Sequence, residues 1–198
     1  DIVIESTGFF RTQEDAAKHI EAGAKTVVIS APAKSAETPM VVHGVNTKDG
    51  MAQIFSCASC TTNCIAPVVE VMQRRFGIEK AIMTTIHAYT STQAIVDGPS
   101  KSDYRRGRAA AANFVPTSTG AAVATTKVVT EIAGKFDGMA IRAPIPVGSI
   151  ADIVFLLSRD TTVEEVNQVF REEAATDRYK EVMAVSDEPL VSSDIVGD

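Results

Sequence analysis

The segment Ser59-Cys60-Thr61-Thr62-Asn63-Cys64 gathers residue types that carry covalent chemistry. Cys60 stands where a helix is expected to begin, running from about Thr61 to Phe76 and closed by Gly77, with Pro67 forcing a kink or an irregular start. The first N–H groups of a helix lack internal partners, and the peptide dipoles favour an anion there. That stabilises a thiolate and makes Cys60 a candidate nucleophile. The hydroxyls of Ser59, Thr61 and Thr62 can join those N–H groups in holding an oxyanion or a phosphate.

A thiolate nucleophile works with a base or an imidazolium. Of the three histidines, His87 ends a predicted strand, Ala81 to His87, at the edge where active sites form. His19 falls mid-helix among charged residues and reads as solvated, and His43 reads as structural. Cys57 and Cys64 read as small buried apolar residues. The spacing Cys57-x2-Cys60-x3-Cys64 lacks a fourth ligand, so no metal site is expected. Two further features suit anions. Thr117-Ser118-Thr119-Gly120 is expected to open a helix, and Arg105, Arg106, Arg108 and Arg142 can grip phosphate bidentately. For the loop arginines a solvated charge run remains open, and for Arg142 a structural ion pair.

These side chains need a scaffold. Ile2 to Ser30 reads strand–helix–strand, with Thr12 capping the helix, Asp15 three residues on, and Gly23 at the closing turn. Val41 to Val45 and Gln53 to Ser56 read as short strands around an Asp49-Gly50 turn. The stretch from Ala88 to Asn113 has little periodicity, and loops of that length are usually functional. A small-residue helix is expected from Gly120 to Ile132, with strands at Gly138 to Ala143 and Ser149 to Ser158, the second partly buried on both faces. Thr162 opens an amphipathic helix with Glu165 in its first turn and Val163, Val166, Val169 and Phe170 as its apolar stripe. The expected class is α/β. Residues 1–59 read as the end of a parallel domain, and residues 60–198 as an α+β domain with a mixed sheet.

Composition sets the outer bounds. The chain has 198 residues, 45% of them apolar, which supports a packed core. Its net charge of −6, without a block of like charges, argues against nucleic-acid or anionic-membrane binding. No apolar run approaches a membrane span. Three closely spaced cysteines make no disulfide framework and point to a reducing, cytoplasmic compartment. The chain opens mid-strand at Asp1-Ile2-Val3-Ile4 and reads as an internal piece of a longer protein.

The motifs Ala58 to Cys64, Thr84 to Thr90, Arg105 to Ala111, Pro116 to Ala122, Asp137 to Arg142 and Glu188 to Asp194 resemble the phosphorylating glyceraldehyde-3-phosphate dehydrogenases, in the order of that family. Glu5-Ser6-Thr7-Gly8 and Val28 to Lys34 resemble it too. The resemblance implies the end of a Rossmann-type NAD-binding domain followed by a catalytic domain. It implies oxidation of D-glyceraldehyde 3-phosphate to 1,3-bisphosphoglycerate with NAD and inorganic phosphate, in glycolysis or gluconeogenesis, NADP being the alternative cofactor. By position, Cys60 becomes the nucleophile and His87 its activator and base. Ser59, Thr61, Arg106, Thr119 and Gly120 meet the attacking phosphate, and Thr90 and Arg142 the phosphate of the substrate. Thr7, Phe10 and Ser30 lie along the cofactor. The loop from 89 to about 112 faces a neighbouring subunit of a homotetramer. Ser91-Thr92-Gln93 departs from the frequent Asn-Asp-Gln, and the Gly-rich dinucleotide fingerprint is not in this chain. The rival readings are an erythrose-4-phosphate dehydrogenase and a non-catalytic binding protein of the same fold.

Overall fold

A computed structural model describes residues 1–47, 52–100 and 103–197. The expected Asp49-Gly50 turn lies outside the described residues. The first part is a three-stranded parallel sheet, ordered β1 (Ile2–Glu5), β2 (Thr26–Ile29), β3 (Ile54–Ser56). Helix α1 (Gln13–Glu21) crosses between β1 and β2 and seats Ala16 and Ile20 on Val27, Ile29 and Ile54. The Thr12 hydroxyl accepts the Asp15 N–H at 3.1 Å and donates to the Asp15 carboxylate at 2.8 Å, as its spacing implied. The strand expected at Val41 to Val45 is absent. Met40 makes one parallel bridge to Ser56, after which Asn46 accepts the Val42 N–H and donates to the Met40 carbonyl. A short amide side chain has there taken the backbone groups that a strand would use.

The second part is a four-stranded mixed sheet, ordered β5 (Val115–Ser118), β6 (Phe136–Ala143), β4 (Ile78–Ala88), β7 (Ser149–Leu157). β4 and β6 are parallel, while β5 and β7 run antiparallel to their neighbours. Its helices are α2 (Cys60–Phe76), α3 (Ala121–Val128) and α4 (Val163–Ala174). Ala81 and Met83 of β4 face Ile65, Val69 and Met72 of α2 in the main core. β7 alternates strictly, with Ile150, Asp152, Val154 and Leu156 exposed, so it is not buried on both faces. The α4 stripe is shorter than expected: Val169 is buried, Val166 and Phe170 touch the core, and Val163 is exposed.

Helix α2 is continuous across Pro67 and ends at Gly77, with φ +72° and ψ 135°. A Cβ on Gly77 would sit 2.9 Å from Ser158 Oγ, so both conformation and space demand glycine. Arg74 of α2 donates to Glu173 of α4 at 2.7 Å and to Glu70 at 2.8 Å, and Tyr179 donates its hydroxyl proton to Glu70 at 2.7 Å. Arg178 ties this group to the carbonyls of Gly44 and Val45. The long loop is folded back on itself, with Gly98 N–H to Gly107 O at 2.8 Å and Ala94 N–H to Arg106 O at 2.9 Å.

Candidate active site

Ala58 holds a left-handed φ of +62°, the one non-glycine residue to do so among those described. Such a conformation costs energy and tends to persist at functional sites. It turns the chain sharply from β3 into α2. The Ser59 hydroxyl then caps the helix by accepting the Thr62 N–H at 3.1 Å. The Asn63 side-chain amide donates to the carbonyls of Cys57 and Ser59, both at 2.8 Å, and braces the turn. Cys60 is the first helical residue and its side chain is exposed.

His87 arrives from the end of β4, on the face that α2 covers. Its Nε2 lies 3.3 Å from Cys60 Sγ. In β6, Arg142 is the direct register partner of His87. Its Nη1 lies 2.6 Å from His87 Nδ1 and donates to the Ala88 carbonyl at 3.1 Å. Burial pushes the Arg142 pKa down, Cys60 opposes that, and nearby Arg106 reinforces it. Cys60, His87 and Arg142 therefore form one contact chain built from α2, β4 and β6.

The remaining phosphate-type residues surround it less directly. Arg106 donates to the Thr117 hydroxyl through Nε at 3.0 Å and Nη2 at 2.7 Å. Thr117 and Ser118 belong to β5 and do not open a helix; α3 begins at Ala121, capped by Gly120 without a side-chain bond. The Thr119 hydroxyl accepts the Ala121 N–H at 3.1 Å. Thr61 is buried in the first turn of α2. Thr90 donates its N–H to the side-chain oxygen of buried Gln93 at 3.2 Å and shares a hydroxyl contact with Thr92 at 3.0 Å. Arg105 pairs with Asp103 and Arg108 with Asp97, so neither is a free phosphate grip. A hollow of about 340 Å³ lined by Met40, Val41, Asn46, Lys127 and Thr130 contains none of these residues.

Thr7, Phe10 and Ser30 follow the carboxyl ends of β1 and β2. Ser30 donates its hydroxyl proton to the Glu5 carbonyl at 3.1 Å. Thr7 donates both N–H and hydroxyl to the Glu5 carboxylate. Phe10 meets the His19 ring edge-on, with centroids 5.1 Å apart.

Four readings are corrected. His19 is not merely solvated: its Nε2 lies 3.1 Å from Glu5 Oε2. Cys64 is exposed, not buried, because one helical turn carries it to the side that Cys60 occupies. Partial desolvation of its sulfur, with Cys60 beside it, pushes its pKa up. Cys57 is only half-buried and donates its thiol to the Ile29 carbonyl at 3.3 Å. His43 lies exposed in the turn after Val42, which does not fit the structural reading. Glu5 and Gln93 went unread as positioning groups because each acts through a turn that only the folded chain closes. For Gln93 the nearest signal was its place at the foot of the Thr90 turn.

The C-terminal domain of glyceraldehyde 3-phosphate dehydrogenase matches residues 59–198. Over its whole length the chain is 52% identical to a glyceraldehyde-3-phosphate dehydrogenase of Mycobacterium leprae, covering 58% of that protein. It is 51% identical to glyceraldehyde-3-phosphate dehydrogenase 2 of Streptomyces avermitilis, covering 59% of it, and 48% identical to the enzyme so named in Clostridium acetobutylicum, covering 58%. The chain thus spans about 58% of the length of these relatives. With its cysteine–histidine–arginine contact and this likeness from end to end, the chain belongs to the glyceraldehyde-3-phosphate dehydrogenase family.

Proposed function

We propose that the full-length protein oxidises D-glyceraldehyde 3-phosphate to the acyl phosphate, using NAD and inorganic phosphate. The observation that carries this reading is the 3.3 Å approach of Cys60 Sγ to His87 Nε2 at a helix start. Cys60 adds its sulfur to the aldehyde carbon, giving a hemithioacetal. His87 takes the hydroxyl proton as hydride leaves that carbon, and a thioester remains on Cys60. An oxygen of inorganic phosphate then attacks the thioester carbon, the carbon–sulfur bond breaks, and the thiolate returns. Arg142 and Thr90 hold the phosphate of the substrate, while Ser59, Thr61, Arg106, Thr119 and Gly120 receive the attacking one. Their support is the cluster of hydroxyls and two guanidinium groups around two helix starts.

A nicotinamide dinucleotide, when bound, supplies the hydride acceptor. Thr7, Phe10 and Ser30 fit the part assigned to them, because they stand at the carboxyl edge of a parallel sheet, where such ligands bind. We place residues 1–59 in the cofactor domain and 60–198 in the catalytic one. We further propose a cytoplasmic homotetramer; the three cysteines are free thiols, and an exposed apolar sheet face offers an interface. The test is phosphate-dependent reduction of NAD by the full-length protein with this aldehyde. Absence of turnover, or a clear preference for the four-carbon erythrose 4-phosphate, overturns the reading.

A further inference from the structure

A carboxylate buried at the end of a strand is costly unless donors meet its oxygens. Glu5 closes β1 and is 3% exposed, and the groups it binds lead to the rim of the parallel sheet. Its Oε1 takes the Thr7 N–H at 2.8 Å and the Thr7 hydroxyl proton as well. The Thr7 oxygen in turn accepts the Phe9 N–H at 3.2 Å. Its Oε2 lies 3.1 Å from His19 Nε2, and the His19 ring meets Phe10 edge-on with centroids 5.1 Å apart. Its carbonyl receives the Ser30 hydroxyl at 3.1 Å and the Ser30 N–H at 3.0 Å. One residue thus touches Thr7 and Ser30 directly, and Phe10 through a single ring.

The core does not call for this arrangement. Helix α1 seats Ala16 and Ile20 on Val27, Ile29 and Ile54, and Glu5 adds nothing apolar to them. Thr7 and Ser30 are exposed, so their outer sides are open to a ligand while their inner sides are held by Glu5. The two carboxylate oxygens tie down the loop of residues 6–10 at two points, Thr7 and, by way of His19, Phe10. A loop ordered before its ligand arrives has less freedom to lose on binding. Resting on the reading that Thr7, Phe10 and Ser30 lie along the dinucleotide, we propose that Glu5 is a positioning residue for the cofactor. It acts through Thr7 and through His19, which hold residues 6–10 in the shape that binds, and not by a contact of its own with the ligand.

Titration calorimetry with NAD and steady-state kinetics on the full-length protein test this. Glu5→Leu keeps the bulk and removes both acceptor oxygens. It is expected to raise the Kd and KM for NAD about tenfold, with kcat at saturating NAD and the KM for the aldehyde within about twofold of wild type. Glu5→Gln keeps one acceptor oxygen, so only one arm is lost, and a rise of about threefold is expected. Adding Thr7→Val to Glu5→Leu is expected to weaken NAD little further, because the first change has already released the second residue. Three results overturn the proposal: wild-type NAD affinity in Glu5→Leu, a fall in kcat with an unchanged KM for NAD, or full additivity of the two changes. Should Glu5→Leu fail to fold, the same cycle is run with Glu5→Gln, and wild-type NAD affinity in that variant overturns the proposal. A wild type that binds no NAD sinks the cofactor reading and the proposal with it. Equal, tight NAD binding by wild type and variant sinks the proposal alone.

Discussion

Cys60 and His87 owe their encounter to the residues that shape the start of α2. Ala58 bends the chain, Ser59 caps the helix and Asn63 braces the turn, so that the thiol is fixed at the first helical position. Replacing Cys60 by Ser in the full-length protein is expected to abolish the acyl-enzyme, checked by mass spectrometry after aldehyde and NAD are added, while the circular dichroism spectrum stays unchanged. His87→Asn is expected to slow hydride transfer about 10²–10⁴-fold in single-turnover kinetics; a loss of only a few-fold would remove His87 from the role of base. Glu5 offers a pH-dependent counterpart. Its side chain is nearly fully buried, which alone would raise its pKa, but hydrogen bonds from Thr7, His19 and Gly8 outweigh that and hold it below 4.5. A depressed folded-state pKa gives stability that is complete above the unfolded value of 4.5 and fades as pH falls through the lower folded one. Glu5→Gln should therefore flatten the acid limb of the melting-temperature profile. A limb as steep as that of wild type would show that Glu5 does not contribute.

At the scale of elements, local signals were legible and long-range ones were not. Thr12, Ser59 and Thr162 announce their helices because a cap and its N–H lie within three residues. Nothing local announces that His87 and Arg142 share a register, since the two strands meet from 55 residues apart. The last two residues of β5 fall in Thr117-Ser118-Thr119-Gly120, which is also good capping sequence, and only pairing with β6 decides between strand and helix start. The α2–α4 joint was likewise invisible, although it places a nearly buried Glu173 between Arg74 and Arg75. Glu173→Ala should lower stability by about 1–3 kcal/mol in denaturant titration, the partly exposed arginines recovering some hydration. Gly77→Ala is expected to cost roughly 1–2 kcal/mol or more, given its positive φ and the crowding by Ser158.

At the scale of the whole molecule, helices cover one face of the mixed sheet, and among the described residues the other is bare. Ile82, Ile150, Val154 and Leu156 on the bare face are each more than half exposed. Contiguous apolar surface of this kind marks an interface. The double variant Ile150→Glu, Val154→Glu is expected to shift the full-length protein from the proposed tetramer to smaller species in sedimentation velocity; a variant that sediments like wild type would place the contact elsewhere. The α/β class was legible from the strand–helix–strand patterns, but which face of β7 stayed bare depended on its pairing with β4.

That pairing slips once, between Ile78 and Lys80, at the start of β4 and far from His87. The slip lets Ile78 point into the core, whereas the later residues keep the parity that brings His87 over Cys60. It acts as an expansion joint. Relatives that gain or lose one residue in this strand can absorb the change there, next to Gly77, without disturbing the reacting end. The same change between Ala81 and His87 would turn the imidazole to the wrong side of the sheet. Across the family, length variation in this strand should therefore fall at its beginning and never between Ala81 and His87.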